Sequence, residues 1–155
     1  LDDYEDTCIG KGYEETMPIL ERIGKSHGDN VKITVMVGKS KAEVLAMKRT
    51  ADIVVDECVT GGYHLASLEG LSMGCAVFGY LTPDIQSILF RMAPGAKYLP
   101  WCTPKVADLE SKIRLLLSEN TPLLHGVGRA GMEWMEEYWN PKEMVKHYTR
   151  IYEAL

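Results

Sequence analysis

Along the chain, apolar residues gather into three short, nearly continuous runs, separated by stretches in which they recur every three or four positions. Residues 31–37 (VKITVMV) are rich in β-branched side chains and bounded by Asn30 and Gly38. Residues 51–57 (ADIVVDE) and 75–80 (CAVFGY) are shorter and equally β-prone. Continuous rather than alternating runs predict strands covered on both faces. Between them, residues 13–25 place Met17, Leu20 and Ile23 at helical spacing, with Pro18 tolerable only near the first turn. Residues 42–49 carry Val44, Leu45 and Met47, and residues 65–73 follow a glycine pair, again with helical periodicity. Strands alternating with helices predict an α/β fold: a Rossmann-like parallel sheet with helices on both faces. The fixed handedness of crossovers leaves few other topologies.

The last third of the chain predicts a helical C-terminal end. Thr103-Pro104, Thr121-Pro122 and Asn140-Pro141 each put a capping side chain before a proline at the first helical position. Asn140, with Glu143 three residues on, resembles a capping box. From Pro104 to about Ser118, the residues Val106, Leu109, Ile113, Leu116 and Leu117 form a core-facing stripe. A last helix carries Met144, Val145, Tyr148, Ile151 and Tyr152. No repeat, linker or low-complexity tract interrupts the chain, so residues 1–155 read as one domain.

Bulk composition narrows the partners. The 155 residues are 46% hydrophobic and 25% charged, ordinary for a globular domain. A net charge of -5 gives no electrostatic reason to expect nucleic acid or an anionic membrane, so any phosphate site must be local. No apolar run reaches the length of a membrane span. Residues 1–7 (LDDYEDT) are acidic where a secretory signal would be basic and then apolar, which predicts a cytoplasmic protein. Cys8, Cys58, Cys75 and Cys102 are widely spaced and read as reduced thiols. The four histidines lack metal-ligand spacing, and no metal is expected. The acidic start without a strand pattern reads as the beginning of a fragment.

Two glycine motifs carry little. Gly10-Lys11-Gly12 opens like a dinucleotide fingerprint, but Glu15 occupies the place of its third glycine. Gly38-Lys39-Ser40 follows an apolar run as a phosphate loop would, yet Ile33 stands where that loop's first glycine belongs. Residues 60–80 are more informative. Glu69 is the one formally charged residue between Cys58 and Pro83, on a helix whose other faces carry Leu65, Leu68 and Leu71, or Ala66, Gly70 and Met73. A carboxylate so enclosed needs a partner: an internal hydrogen bond, a distant Lys or Arg, or the hydroxyls of a ligand. Gly61-Gly62 lead into the same helix, whose N-terminus favours a diphosphate. A tight strand-to-helix turn is the plainer explanation of that pair. A strand, a glycine loop, a helix N-terminus and a lone acid together mark the carboxyl end of a parallel strand, where open α/β sheets bind ligands.

Residues 51–80 resemble the donor-site segment of the retaining GT-B glycosyltransferases, the glycosyl transferases group 1 that include the glycogen-synthase and sucrose-synthase-like enzymes. Ala51-Asp52-Ile53 matches the strand that leads into the site, Leu68-Glu69-Gly70 the acidic helix, and Gly74-Cys75-Ala76-Val77 the strand that follows. Lys11-Gly12 is similar to the Lys-Gly that opens the domain's first helix, and residues 99–155 look like its C-terminal end. The resemblance implies the nucleotide-sugar-binding half of a GT-B fold, lacking the N-terminal acceptor domain. It implies transfer of a sugar from a nucleoside diphosphate sugar to an acceptor hydroxyl with retention, without metal or further cofactor. Glu69 would be the second glutamate of the family's E-x7-E motif and hold the ribose, while Lys11 would neutralise the diphosphate. Gly61, Gly62, Tyr63, His64 and Leu65 would contact phosphate and sugar, and residues 38–41 would lie near the base. A sugar, lipid or protein acceptor would be bound by the other domain, which leaves room for peripheral membrane association of a full protein. The chain departs from the pattern in that the motif's first glutamate falls on Gly61, and His64 replaces a glycine. Two competing expectations are a non-catalytic module that keeps the fold, and a nucleotide-sugar epimerase of the same architecture.

Overall fold

A computed structural model describes residues 12–119 and 121–153, with backbone only at 118, 119 and 121. Helix α1 (Tyr13–His27) ends in a short 3-10 turn (Gly28–Asn30), and α2 (Lys41–Lys48) leads to strand β1 (Ile53–Val55). Helix α3 (Leu65–Ser72) connects β1 to β2 (Ala76–Phe78). Helices α4 (Pro83–Met92), α5 (Val106–Glu119), α6 (Thr121–Tyr138) and α7 (Pro141–Glu153) complete the chain.

β1 and β2 are parallel, with Ile53 opposite Ala76, Val54 opposite Val77 and Val55 opposite Phe78. A parallel bridge from Phe78 to Cys102 continues the sheet by one residue pair. The fold is therefore mixed α/β around a two-stranded parallel sheet among the described residues.

Side-chain alternation along the strands sends residues to two faces. Val54 and Val77 pack with Leu71, Leu81, Leu89, Trp101 and Trp134, a core built with α3, α4 and α6. Ala76 and Phe78 pack with Ile19, Ile23, Leu109, Ile113 and Leu116, a core built with α1 and α5. Every residue of β2 is buried, as its continuous apolar run predicts. Helix α6 comes so close to the turn after α3 that a Cβ on Gly128 would lie 1.9 Å from the Gly74 carbonyl oxygen.

The strand expected over residues 31–37 is not formed. That segment is irregular and open, with Ile33, Val35 and Val37 exposed at 37%, 42% and 45%. Its β-branched composition suits a strand, but a strand also needs a ladder partner, and none of the described residues supplies one. The runs at 51–57 and 75–80 contract to three residues each, the length over which they pair.

Most helix starts follow their caps, but the helix expected from Pro104 begins only at Val106, after an irregular stretch at 103–105. Ser40 accepts from the Glu43 backbone N–H while the Glu43 carboxylate accepts from the Ser40 backbone N–H, a full capping box that starts α2. Asn140 Oδ1 accepts from the backbone N–H groups of Lys142 (2.9 Å) and Glu143 (3.2 Å). Only half of that second box forms, because the Glu143 carboxylate pairs with Lys146 instead. Helix α4 escapes the periodicity reading, although Thr82-Pro83 repeats the Thr-Pro signal and Thr82 caps it. The stripe on α5 is buried as expected at Leu109, Ile113 and Leu116. The stripe on α7 is not: Val145, Tyr148, Ile151 and Tyr152 are all exposed. No helix of the described residues is long and apolar enough to cross a membrane. Cys58, Cys75 and Cys102 are unpaired, and Cys8 lies outside the described residues.

Candidate functional site

The site grows from the carboxyl end of β1. Beyond Val55 the chain stays zipped to the extension of β2: Asp56 N–H donates to Phe78 O (2.9 Å), Tyr80 N–H to Glu57 O (2.7 Å) and Gly62 N–H to Tyr80 O (2.8 Å). This fixes residues 58–62 as a tight loop directly above the strand end.

Glu57, 1% exposed, organises that loop from inside. One carboxylate oxygen accepts from the backbone N–H groups of Val59 and Thr60, and the other from Gly61 N–H at 2.8 Å. Burial opposes ionisation of this carboxyl, but the hydrogen bonds from Thr60, Val59 and Gly61 outweigh it and hold its pKa below the usual glutamate value. These three N–H groups converge as they would on a phosphate, and the protein's own carboxylate takes them. Next to it, burial and then the Glu57 charge push the Cys58 thiol up to about 12, which keeps it protonated and unreactive.

Gly61 sits at φ 85°, and a Cβ there would lie 2.4 Å from Thr82 Cγ2. Position 61 therefore has neither the backbone conformation nor the space for a side chain.

Helix α3 opens without a capping side chain of its own. Asp56 supplies the cap from the strand end: its Oδ2 accepts from His64 N–H (3.2 Å) and Ser67 Oγ–H (2.7 Å). Its other oxygen, Oδ1, lies 3.4 Å from His64 Nδ1, off the hydrogen-bond line, and that nitrogen is buried without another partner. The His64 side chain is nevertheless 38% exposed, while Asp56 is 10% exposed. At the first turn of α3, no described residue accepts the N–H groups of Leu65 and Ala66. Both are left unsatisfied by the described residues, as the first N–H groups of a helix commonly are.

Glu69 has an internal partner. Its Oε2 lies 2.7 Å from Lys48 Nζ, which also donates to Ala66 O at 3.1 Å. Lys48, at the end of α2, is 3% exposed and Glu69 17%. Of the partners that the sequence leaves open for Glu69, a distant lysine is the one observed. Its Oε1 has no hydrogen-bond partner among the described residues.

No family model, curated protein or solved structure matches the chain.

Gly12, at φ 69°, begins α1 directly against the loop, since a Cβ on it would lie 2.1 Å from Val59 Cγ2. The N-terminus of α1 thus lies against the loop that precedes α3. Lys11 lies outside the described residues. Gly62 is used in the loop's backbone pairing, and Leu65 is 63% exposed. Tyr63 turns into an aromatic cluster, 5.7 Å from the Trp101 ring and 6.1 Å from Trp139. At 38–41, Gly38, Lys39, Ser40 and Lys41 are exposed at the start of α2. Two clefts open elsewhere: one of about 120 Å³ beside Gln86 and Trp101, another of about 280 Å³ beside Lys97 and Trp134.

Sequence reasoning does not single out Asp56, Glu57, Ser67 or Lys48. Two adjacent acids closing an apolar strand just before Gly61-Gly62 were the available signal for the first two. Lys48 follows Val44 by one helical turn, which places it on the apolar side of α2, a much weaker cue.

Proposed function

We propose that this chain is the nucleotide-sugar-binding domain of a retaining GT-B glycosyltransferase, with a Rossmann-like fold. The observation that supports the reading best is the open first turn of α3, where the Leu65 and Ala66 N–H groups have no acceptor among the described residues, just beyond the end of a parallel strand. A diphosphate bound there would accept from the Leu65 and Ala66 N–H groups and lie in the positive end of the α3 dipole. Glu69, one turn further along α3, keeps Oε1 for a ribose hydroxyl while Lys48 holds its other oxygen. In the transferase reaction the sugar leaves a diphosphate whose developing charge these donors and Lys11 stabilise. Glu69 orients the nucleotide and makes no bond. The acceptor belongs to the other half of such an enzyme, so this chain alone binds donor without turning it over.

A second reading is a module that keeps the fold without the chemistry. It is favoured by Gly61, which cannot carry the acid that touches the donor sugar, and by the Glu57 carboxylate filling the loop's own anion nest. Amide NMR separates the two. Added UDP, GDP or ADP should shift the Leu65 and Ala66 resonances first; unchanged spectra with all three favour the module.

A further inference from the structure

We infer that Asp56 is a positioning residue that presents the His64 ring as a contact for the diphosphate, a role that rests on the donor-domain reading above. The geometry is built rather than incidental. Asp56 is 10% exposed and holds His64 from two directions, accepting its backbone N–H with Oδ2 and facing its ring Nδ1 with Oδ1. Ser67 Oγ–H, on the next turn of α3, donates to the same Oδ2 and keeps the carboxylate in place. With Nδ1 turned inward to a carboxylate, Nε2 is the nitrogen of the part-exposed ring left for a ligand, and it has no partner among the described residues.

Charge explains why such a pair is needed. Residues 51–80 contain Asp52, Asp56, Glu57 and Glu69 but neither lysine nor arginine. A nucleoside diphosphate approaching this end of the sheet meets an acidic segment. Lys48 is committed to Glu69, which leaves His64 as the segment's one group able to carry positive charge. The carboxylate faces Nδ1, so Nε2 is the ring nitrogen on the open side.

The test is a double-mutant cycle on the whole chain, titrated calorimetrically with UDP, GDP and ADP and with uridine, guanosine and adenosine. Asp56→Asn retains an oxygen to cap His64 N–H and Ser67, so it removes charge while sparing the helix start; thermal melts check this. The expected result is that His64→Ala weakens the diphosphate about tenfold, the effect of one charged hydrogen bond, and leaves the nucleoside unchanged. Asp56→Asn does the same to a smaller extent, and adds nothing further in the His64→Ala background. Equal loss for nucleoside and diphosphate would mean that Asp56 only caps the helix and would overturn the inference. So would an Asp56→Asn effect that persists in full without His64. Should the wild-type chain bind no diphosphate at all, the inference and the donor-domain reading fall together.

Discussion

Lys48 Nζ reaches across from α2 to Glu69 Oε2 at 2.7 Å, and both side chains are largely withdrawn from solvent. The pair ties α2 to α3, and through Ala66 O it also secures the first turn of α3. Removing one partner leaves a charge buried without compensation. Lys48→Met is expected to cost about 3 kcal/mol, measured by urea denaturation, and the double variant Lys48→Met, Glu69→Gln to regain most of that. Additive losses would show that the two side chains do not act as a pair.

Glu57 makes the loop acid-sensitive. Its pKa is lowered in the folded chain, so the unfolded chain binds the proton more readily. The resulting stabilisation is complete above the unfolded glutamate value of about 4.3 and is lost as pH falls through the lower folded value. Glu57→Gln should cost about 2 kcal/mol near neutral pH, and the gap from wild type should close in acid. A gap that stays constant down to pH 2–3 would contradict the assignment.

Gly61 and Gly74 form a controlled comparison. Both have positive φ, but an added Cβ meets Thr82 at the first and nothing within 4 Å at the second. Gly74→Ala should cost only the backbone term, about 1–2 kcal/mol. Gly61→Ala should cost that plus the clash, about 3–4 kcal/mol in all. Equal costs would mean that the loop yields freely at Thr82.

The open segment at 31–37 predicts indifference to substitution. Val35→Thr, at a 42% exposed side chain, should change stability by less than about 0.5 kcal/mol, whereas Val54→Ala in β1 should cost about 2 kcal/mol or more. Hydrogen exchange should likewise be fast at Val35 and slow at Ala76, whose N–H donates to Asp52 O. Strong protection at Val35 would mean that this segment is a paired strand.

What the sequence makes legible follows from how local each signal is. Helix starts at Ser40, Thr82 and Asn140 are decided within four residues, and their caps form, although Thr82 needs the same attention as the other Thr-Pro pairs. Continuous apolar runs identify β1 and β2 but overestimate them, because pairing depends on a neighbour that no local pattern describes. The same gap explains residues 31–37. Around the site, the isolation of Glu69 among apolar residues correctly signals an enclosed carboxylate, while its partner lies 21 residues upstream on another helix. Asp56 and Glu57 look like the end of a strand, and their roles appear only once the chain has folded back over them to bring His64, Ser67 and the loop amides within reach.

The central claim is that α3 holds a nucleoside diphosphate between its open first turn and Glu69. The most direct measurement is a calorimetric titration of the chain with UDP, GDP and ADP, repeated with Glu69→Gln, which keeps a hydrogen-bonding group beside Lys48. Saturable binding of one nucleotide, weakened by about 1.5 kcal/mol or more in the variant, is the predicted result. Absence of binding by all three, or an affinity unchanged by Glu69→Gln, would contradict it.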